Sequence, residues 1–303
     1  MKSLLIALVI LFAIPQQTFA STCPPPPVPL RQLVQQAEYV VIGTIRSTEE
    51  VIVFNYKGLK VTMEVQQVLQ GHIGTKTISL FLDPWMELRM GQLPHAAEQM
   101  IVFINFSEEE QIYVPSSYKS SYKVLDKQGI TAYRQRVKEI QAINTLKDEK
   151  RRDQLTVDWL INCAENPYTH WEGAYELAPY SGFMRYYDEE LEDYVTRITL
   201  TEPQKQRLRK LILEQTEIQQ VDILLIDTIS GWQDPEIHQL LVNFLKSIDP
   251  QLLWQQNYLL HRLAATSQRE DLSETLEKLN TLEYNDDYQE QANAIAVEFV
   301  GLL

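Results

Sequence analysis

A chain of 303 residues that is 45% hydrophobic and 22% charged has too much apolar side chain to stay disordered, and it is longer than one hydrophobic core usually organises. Its net charge of −14 sits in one half: residues 21–145 carry 12 basic and 12 acidic side chains, and residues 146–303 carry 14 and 29. So acidic a surface argues against nucleic acid and anionic lipid as partners, and it also serves solubility.

The chain starts with Lys2, the apolar run Leu4 to Ile14, Pro15, and then Thr18-Phe19-Ala20, which has small side chains where a signal peptidase needs them. An apolar run of about 11 residues is too short for a bilayer core, which needs about 20. Residues 1–20 therefore read as a signal peptide, with the mature chain starting at Ser21. The protein is expected in the periplasm or outside the cell, without a transmembrane segment. Cys23 and Cys163 are the two cysteines. Cys163 shares a helical face with Leu155, Trp159 and Leu160, which favours a buried thiol, and a bridge to Cys23 is the alternative. Lipidation at Cys23 is disfavoured by Ala20-Ser21-Thr22 ahead of it, and Pro24 to Pro27 read as a stiff spacer.

From Glu38 to about Tyr133 the hydrophobic period is close to two. Tyr39 to Ile45, Val51 to Phe54, Leu59 to Val65, Thr77 to Leu82, Met100 to Phe106 and Gln111 to Val114 read as strands, with a hairpin connection at Asn55 to Gly58. Asp83 to Gln99 holds Pro84 and Pro94 and reads as a long loop or a broken short helix. Strands this short and this closely spaced predict a small closed or nearly closed barrel.

Cys23 with its four prolines, a short helix through Leu30 to Ala37, the strand Glu38 to Ile45, the run Val61 to Gly71 and the late strand Gln99 to Phe103 together resemble the start of a tissue-inhibitor-of-metalloproteinases-like (netrin-like) domain. The resemblance covers roughly Cys23 to Val114 and implies an OB-type barrel with the N-terminal segment against it. In that family the first mature residue is a cysteine whose amine and carbonyl coordinate the protease zinc, and Cys23 holds that position. Ser21 and Thr22 ahead of it would turn the amine into an amide, and Pro25 stands where a second early cysteine falls in the family.

Near Ala132 the period changes to about 3.6. Tyr133, Val137, Ile140 and Ile143 share a face, and the domain boundary is expected between Gly129 and Asp153. Thr201-Glu202-Pro203 opens the helix of Leu208, Leu211 and Ile212, and a second spans Ile218 to Ile229, stopped by Gly231. Asp234-Pro235-Glu236 opens the helix of Leu240, Leu241, Phe244 and Leu245. Trp254 to Ala265, Leu272 to Leu279 and Tyr288 to Val300 supply three more. These fall into three pairs about 33 to 35 residues apart, resembling divergent HEAT-type repeats, with a compact bundle as the alternative.

The expected architecture is thus a β + α two-domain chain: signal peptide 1–20, an OB-type barrel at 21–130, and a solenoid-like α-helical repeat at 131–303. For chemistry, His72, His95, His170, His238 and His261 are scattered, and no nucleophile elbow, phosphate loop or dinucleotide fingerprint occurs. No cofactor or metal is expected. The densest candidate is Tyr168 to Glu176: on a helix, Glu172 and Glu176 share one face and Trp171 and Tyr175 the next, a surface that suits a sugar ring or a basic peptide. The plain reading of the same helix puts its aromatics in the core and its acids in water. Asp188 to Asp193 reads as a solvated acidic helix start or loop, flanked by Tyr186, Tyr187 and Tyr194. The expected function is that of an exported, non-catalytic protein of the bacterial cell envelope that binds a peptide or protein. Its candidate binding residues are Cys23, Trp171, Glu172, Tyr175, Glu176 and Tyr187. The alternatives are a protease inhibitor acting through Cys23 and a hydrolase with a dispersed site.

Overall fold

The fold is that of a computed structural model, described for residues 27–53, 55–82, 94–117, 121–283 and 285–303. Six strands form one mixed sheet in the first half: β1 Tyr39–Val53, β2 Tyr56–Gln70, β3 Thr77–Leu82, β4 Gln99–Ser107, β5 Ile112–Pro115 and β6 Tyr122–Val124. β1 pairs antiparallel with both β2 and β4, β2 pairs with β3, and β5 joins β4 antiparallel and β3 in parallel. The hydrogen-bonded order β1-β2-β3-β5-β4 thereby returns to β1, and β6 adds to β4.

This pairing explains why β1 and β4 read as unbroken apolar runs. Val41, Ile45, Met100, Val102 and Ile104 point to the inside of the strand circuit. The alternate residues Val40, Ile42, Ile101 and Phe103 point out and pack under the helices. Both faces are buried, so the polar alternation of a one-sided sheet is missing.

Two strand expectations are corrected. Residues 39–45 and 51–53 belong to one strand, because the polar stretch between them stays in the ladder opposite β2, with Lys60 to Glu49 at 2.8 Å and Lys57 to Glu50 at 2.6 Å across the ribbon. Val53 pairs with Tyr56, so the ladder runs closer to the turn than expected, and Asn55 takes φ 63° just before Tyr56. The short β6 was not anticipated. Most of the Asp83 to Gln99 loop lies outside the described residues, as do the signal peptide and Cys23.

Helix α1, Leu30–Gln36, packs its buried Leu30, Leu33 and Val34 against the outer face of the sheet. In the second half, α2 spans Lys127–Asn144, α3 Glu149–Ala164, α4 His170–Leu177, α5 Glu202–Leu213 and α6 Gln220–Thr228. Then come α7 Pro235–Ser247, α8 Asn257–Ser267, α9 Glu270–Asn280 and α10 Tyr288–Leu302. α2 starts earlier than the periodicity suggested, because Asp126 accepts the Gly129 N–H at 2.7 Å and caps it there. The signals at Thr201 and Asp234 are used as read: Thr201 and Gln204 form a capping box, and Asp234 accepts from Glu236 N and Ile237 N. Between α4 and α5 the chain forms a hairpin, β7 Arg185–Asp188 with β8 Asp193–Thr196. Of the two readings of 188–193 the helix start is corrected and the loop fits its centre: Glu189 to Glu192 form the turn, Asp188 and Asp193 pair as the adjoining strand residues, and the flanking Tyr186, Tyr187, Tyr194 and Val195 are strand formers that pair across it.

One hydrophobic cluster runs from Leu30 and Leu33 on α1 through Val137, Leu160 and Leu225 to Phe299 on α10. The apolar packing of the helical half therefore continues onto the outer face of the sheet. Among the described residues no helix is long and apolar enough to cross a membrane.

Candidate functional site

Helix α4 is set by close backbone approach. A Cβ on Gly173 would stand 2.2 Å from the Leu160 carbonyl oxygen and 2.4 Å from Ala164 N, so only glycine lets α4 lie this tightly on α3. That contact turns the next face of α4 toward α1. Glu172 is 2% exposed, and its carboxylate accepts the Leu30 N–H at 2.7 Å and the Tyr133 hydroxyl at 2.8 Å, with Lys123 Nζ 3.3 Å away. Leu30 N is one of the unsatisfied donors in the first turn of α1, so Glu172 caps that helix from far along the chain. One turn on, Glu176 is 1% exposed and takes Arg31 Nε at 3.0 and 3.1 Å. The Arg31 guanidinium also lies 5.0 Å from the centre of the Phe183 ring.

The acids are therefore inside and the rings at the surface, the reverse of the plain amphipathic expectation. Trp171 and Tyr175 are half-buried and stack at 4.8 Å with 17° between planes, and Lys123 Nζ sits 6.0 Å from the Trp171 ring centre. Burial raises the Glu176 pKa, against the opposing pull of Arg31, and burial together with Glu172 pushes Tyr133 well up. As placed, Glu172 and Glu176 join the sheet half to the helical half and have their acceptor capacity engaged by the chain itself. Two turned-in carboxylates of this kind are a fold device, stable because each has its donors.

At the start of α4, His170 is buried with both ring nitrogens facing acceptors: Nδ1 to the Ala164 carbonyl oxygen at 2.5 Å and Nε2 to Asp222 Oδ1 at 3.0 Å. The Ala164 carbonyl can only accept, so Nδ1 carries a proton, and an ionised Asp222 takes a second from Nε2, which makes the ring an imidazolium. Burial opposes the charge, but the hydrogen bonds to Asp222 and Ala164 leave the His170 pKa raised.

A different surface gathers from residues far apart in sequence. Asp227 on α6, its side chain 6% exposed, accepts four donors: Trp232 Nε1 at 2.6 Å, Arg262 Nη2 at 3.1 Å, and the hydroxyls of Tyr180 and Tyr258, each at 2.5 Å. Ser230 takes φ 56° just before the turn Gly231–Gln233 that carries Trp232. Arg262 lies 5.6 Å from the Trp232 ring centre and 5.3 Å from that of Tyr258. Burial and the bonds to Asp227 and Tyr258 raise the Tyr180 pKa. From Tyr180 the row continues to Arg185, 6.0 Å from the Tyr180 ring centre and 4.2 Å from that of Tyr194, and on to Tyr187, which meets Tyr194 edge-on at 5.3 Å. Tyr180, Tyr187, Tyr194 and Tyr258 are 46–56% exposed.

Of the residues expected from sequence, Trp171 and Tyr175 meet each other, Glu172 and Glu176 are drawn together under α1, and Tyr187 lies on the hairpin against Tyr194. Cys23 lies outside the described residues. Tyr180, Arg185, Asp227, Trp232, Tyr258 and Arg262 were missed, because nothing in local spacing links residues from five separate elements. The only signal was compositional, a surplus of Tyr. Cys163 is a buried, free thiol, and among the described residues no three His, Cys, Asp or Glu side chains are grouped to hold a metal. The chain matches no family model and no curated protein.

Proposed function

We propose that this chain is an exported, non-catalytic interaction protein of the bacterial cell envelope that binds a peptide or protein partner. The observation that carries the reading is the row of Tyr, Arg and Trp from Tyr187 to Trp232, whose four tyrosines are half-exposed while Trp232 is buried beneath them. These are the residue types that dominate binding energy at protein interfaces, and rigid rings lose little conformational entropy on contact. Asp227 fixes four of them in advance, which lowers the ordering cost of association. The exposed halves of these rings leave apolar surface in water that a partner would cover. Export rests on the pattern of residues 1–20. The finer architecture belongs to the same proposal: a five-strand circuit closing on β1 supports an OB-type barrel, and the succession of packed helices α5 to α10 supports stacked, HEAT-like pairs.

A photo-cross-linking residue at position 187 tests this in the exported chain, with position 52 on the far ribbon as control, since Ile52 is 75% exposed. The expected result is a discrete adduct from 187 alone, and about tenfold weaker binding of the purified adduct partner to Tyr187→Ala/Tyr194→Ala. Equal adducts from both positions, or affinity indifferent to the two rings, would rule the reading out.

A further inference from the structure

The row of rings holds two guanidiniums, one on each side of Tyr180, and the chain equips them differently. Arg262 lies over Trp232 and Tyr258, and Asp227 Oδ1 stands 3.1 Å from its Nη2, so two aromatic faces and a carboxylate hold it together. Arg185 has two aromatic faces alone. Its guanidinium lies 4.2 Å from the Tyr194 ring centre and 6.0 Å from that of Tyr180, and its Nε is buried without a hydrogen-bond acceptor. Among the described residues the Arg185 side chain forms no ion pair and no hydrogen bond, and its Nη1 and Nη2 reach the surface.

Acids are close by in sequence, yet the fold keeps them from this cation. Side chains alternate along β7, so Asp188 leaves the face that carries Arg185 and Tyr187. Asp188 accepts the Glu190 and Leu191 N–H groups at 2.9 and 3.1 Å, and Asp193 accepts that of Tyr194 at 2.6 Å, so both carboxylates are tied to their own backbone. The base of Arg185 is fixed in turn: its backbone N–H donates to the Ser181 carbonyl oxygen at 3.1 Å, and Arg197 N–H donates to that of Met184 at 2.9 Å. Tyr180 is held through its hydroxyl by Asp227. A guanidinium largely withdrawn from water with its donors unmatched is unfavourable, and an acceptor brought by another molecule relieves it. Because the rings already hold it in place, little ordering remains to be done on contact.

We infer, building on the interaction-protein reading above, that Arg185 receives the carboxylate of a Glu or Asp side chain in the partner segment that lies along the row. The carboxylate does for Arg185 what Asp227 does for Arg262. It meets the Nη1 and Nη2 edge of the fork, since Nε is covered, and its planar pair of oxygens matches that edge. It also brings a single negative charge into the acidic half of the chain, where a phosphate would bring nearly two. The rings continue on both sides of Arg185, to Tyr187 one way and through Tyr180 to Tyr258 the other, so the carboxylate comes from within a segment and not from a chain end.

The test uses the full mature chain and short peptides, capped at both ends, that alternate alanine with glutamate, glutamine or lysine, followed by the Nε–H signals of the arginine side chains. The glutamate peptide should shift the Arg185 signal saturably, and Arg185→Gln should weaken its binding about tenfold. Arg185→Lys keeps the charge and loses the fork, and should fall between the two. Arg46→Gln removes a positive charge from the far ribbon, where that side chain is 61% exposed, and should leave affinity unchanged. Absence of glutamate-peptide binding, or equal weakening by Arg185→Gln and Arg46→Gln, overturns the proposal, the second outcome meaning diffuse attraction. If the glutamine or lysine peptide binds and is lost with Tyr187→Ala/Tyr194→Ala but not with Arg185→Gln, the carboxylate is wrong and the broader interaction reading stands.

Discussion

On α4 the carboxylates of Glu172 and Glu176 are 2% and 1% exposed and meet donors from α1, α2 and β6, whereas on the hairpin that follows, Asp188 and Asp193 accept only backbone N–H groups from their own turn and strand, and Asp188 to Asp193 form no ion pair among the described residues. The residue types are the same and the stretches are close in sequence. What separates them is the neighbour each backbone brings up: Gly173 presses α4 into the molecule where donors wait, and the hairpin turns its acids away from it. An acid ties distant parts of the chain together where donors from several elements converge on it, and organises only its own turn where the donors are local.

That contrast can be broken by measurement. Glu172→Ala strands the Leu30 N–H, the Tyr133 hydroxyl and Lys123, and should cost about 3–5 kcal/mol in urea unfolding. A loss below about 1 kcal/mol would show that the buried acid does no more than a surface one. Gly173→Ala drives a methyl into the α3 backbone and should cost about 1–3 kcal/mol, with the Arg31 to Glu176 contact disturbed in amide spectra.

The His170 to Asp222 pair sharpens the comparison by pH. The folded pKa of His170 is raised above its ordinary value of 6.5, so its stabilising contribution is full below that value and is lost as pH rises through the folded pKa. Each pH unit across that window should remove up to about 1.4 kcal/mol, and the slope should vanish in His170→Gln. A wild-type stability that rises over the same window would contradict the imidazolium. Tyr180→Phe removes one of four donors to Asp227 and should cost about 1 kcal/mol or less, because the ring is half-exposed and three donors remain. Smallest of all, Asp188→Asn/Asp193→Asn should move stability by no more than about 0.5 kcal/mol, or raise it slightly as the repulsion goes. A large loss there would make the outward acids structural too, and the contrast would collapse.

Much of the fold was legible because it is written in local chemistry. Thr201 and Asp234 marked helix starts through the donors they satisfy, and the runs at Val40 and Ile101 marked strands by their β-branched side chains. The errors share a cause in partners distant along the chain. Residues 46–50 look like a break between strands until β2 is known to lie opposite, and β6 is held mainly by its pairing to β4. The candidate site failed in the same way. Helical spacing correctly put Glu172 beside Glu176, but which way that face points depends on α1, and the Asp227 hub draws donors from positions 180, 232, 258 and 262.

The bond from Leu30 N to Glu172 spans 142 positions and that from Arg31 to Glu176 spans 145. During synthesis α1 is thus the first described helix to emerge and among the last to be completed. Contacts so far apart close slowly, since loop entropy must be overcome before any of them forms. Until α4 arrives, the apolar side of a seven-residue helix, too short to persist alone, can rest on the sheet and α2 but lacks the carboxylates that fasten its first turn. The first described helix is thus fastened by residues more than 140 positions later, and a chain cut short before residue 172 would lack both carboxylates that hold its own beginning.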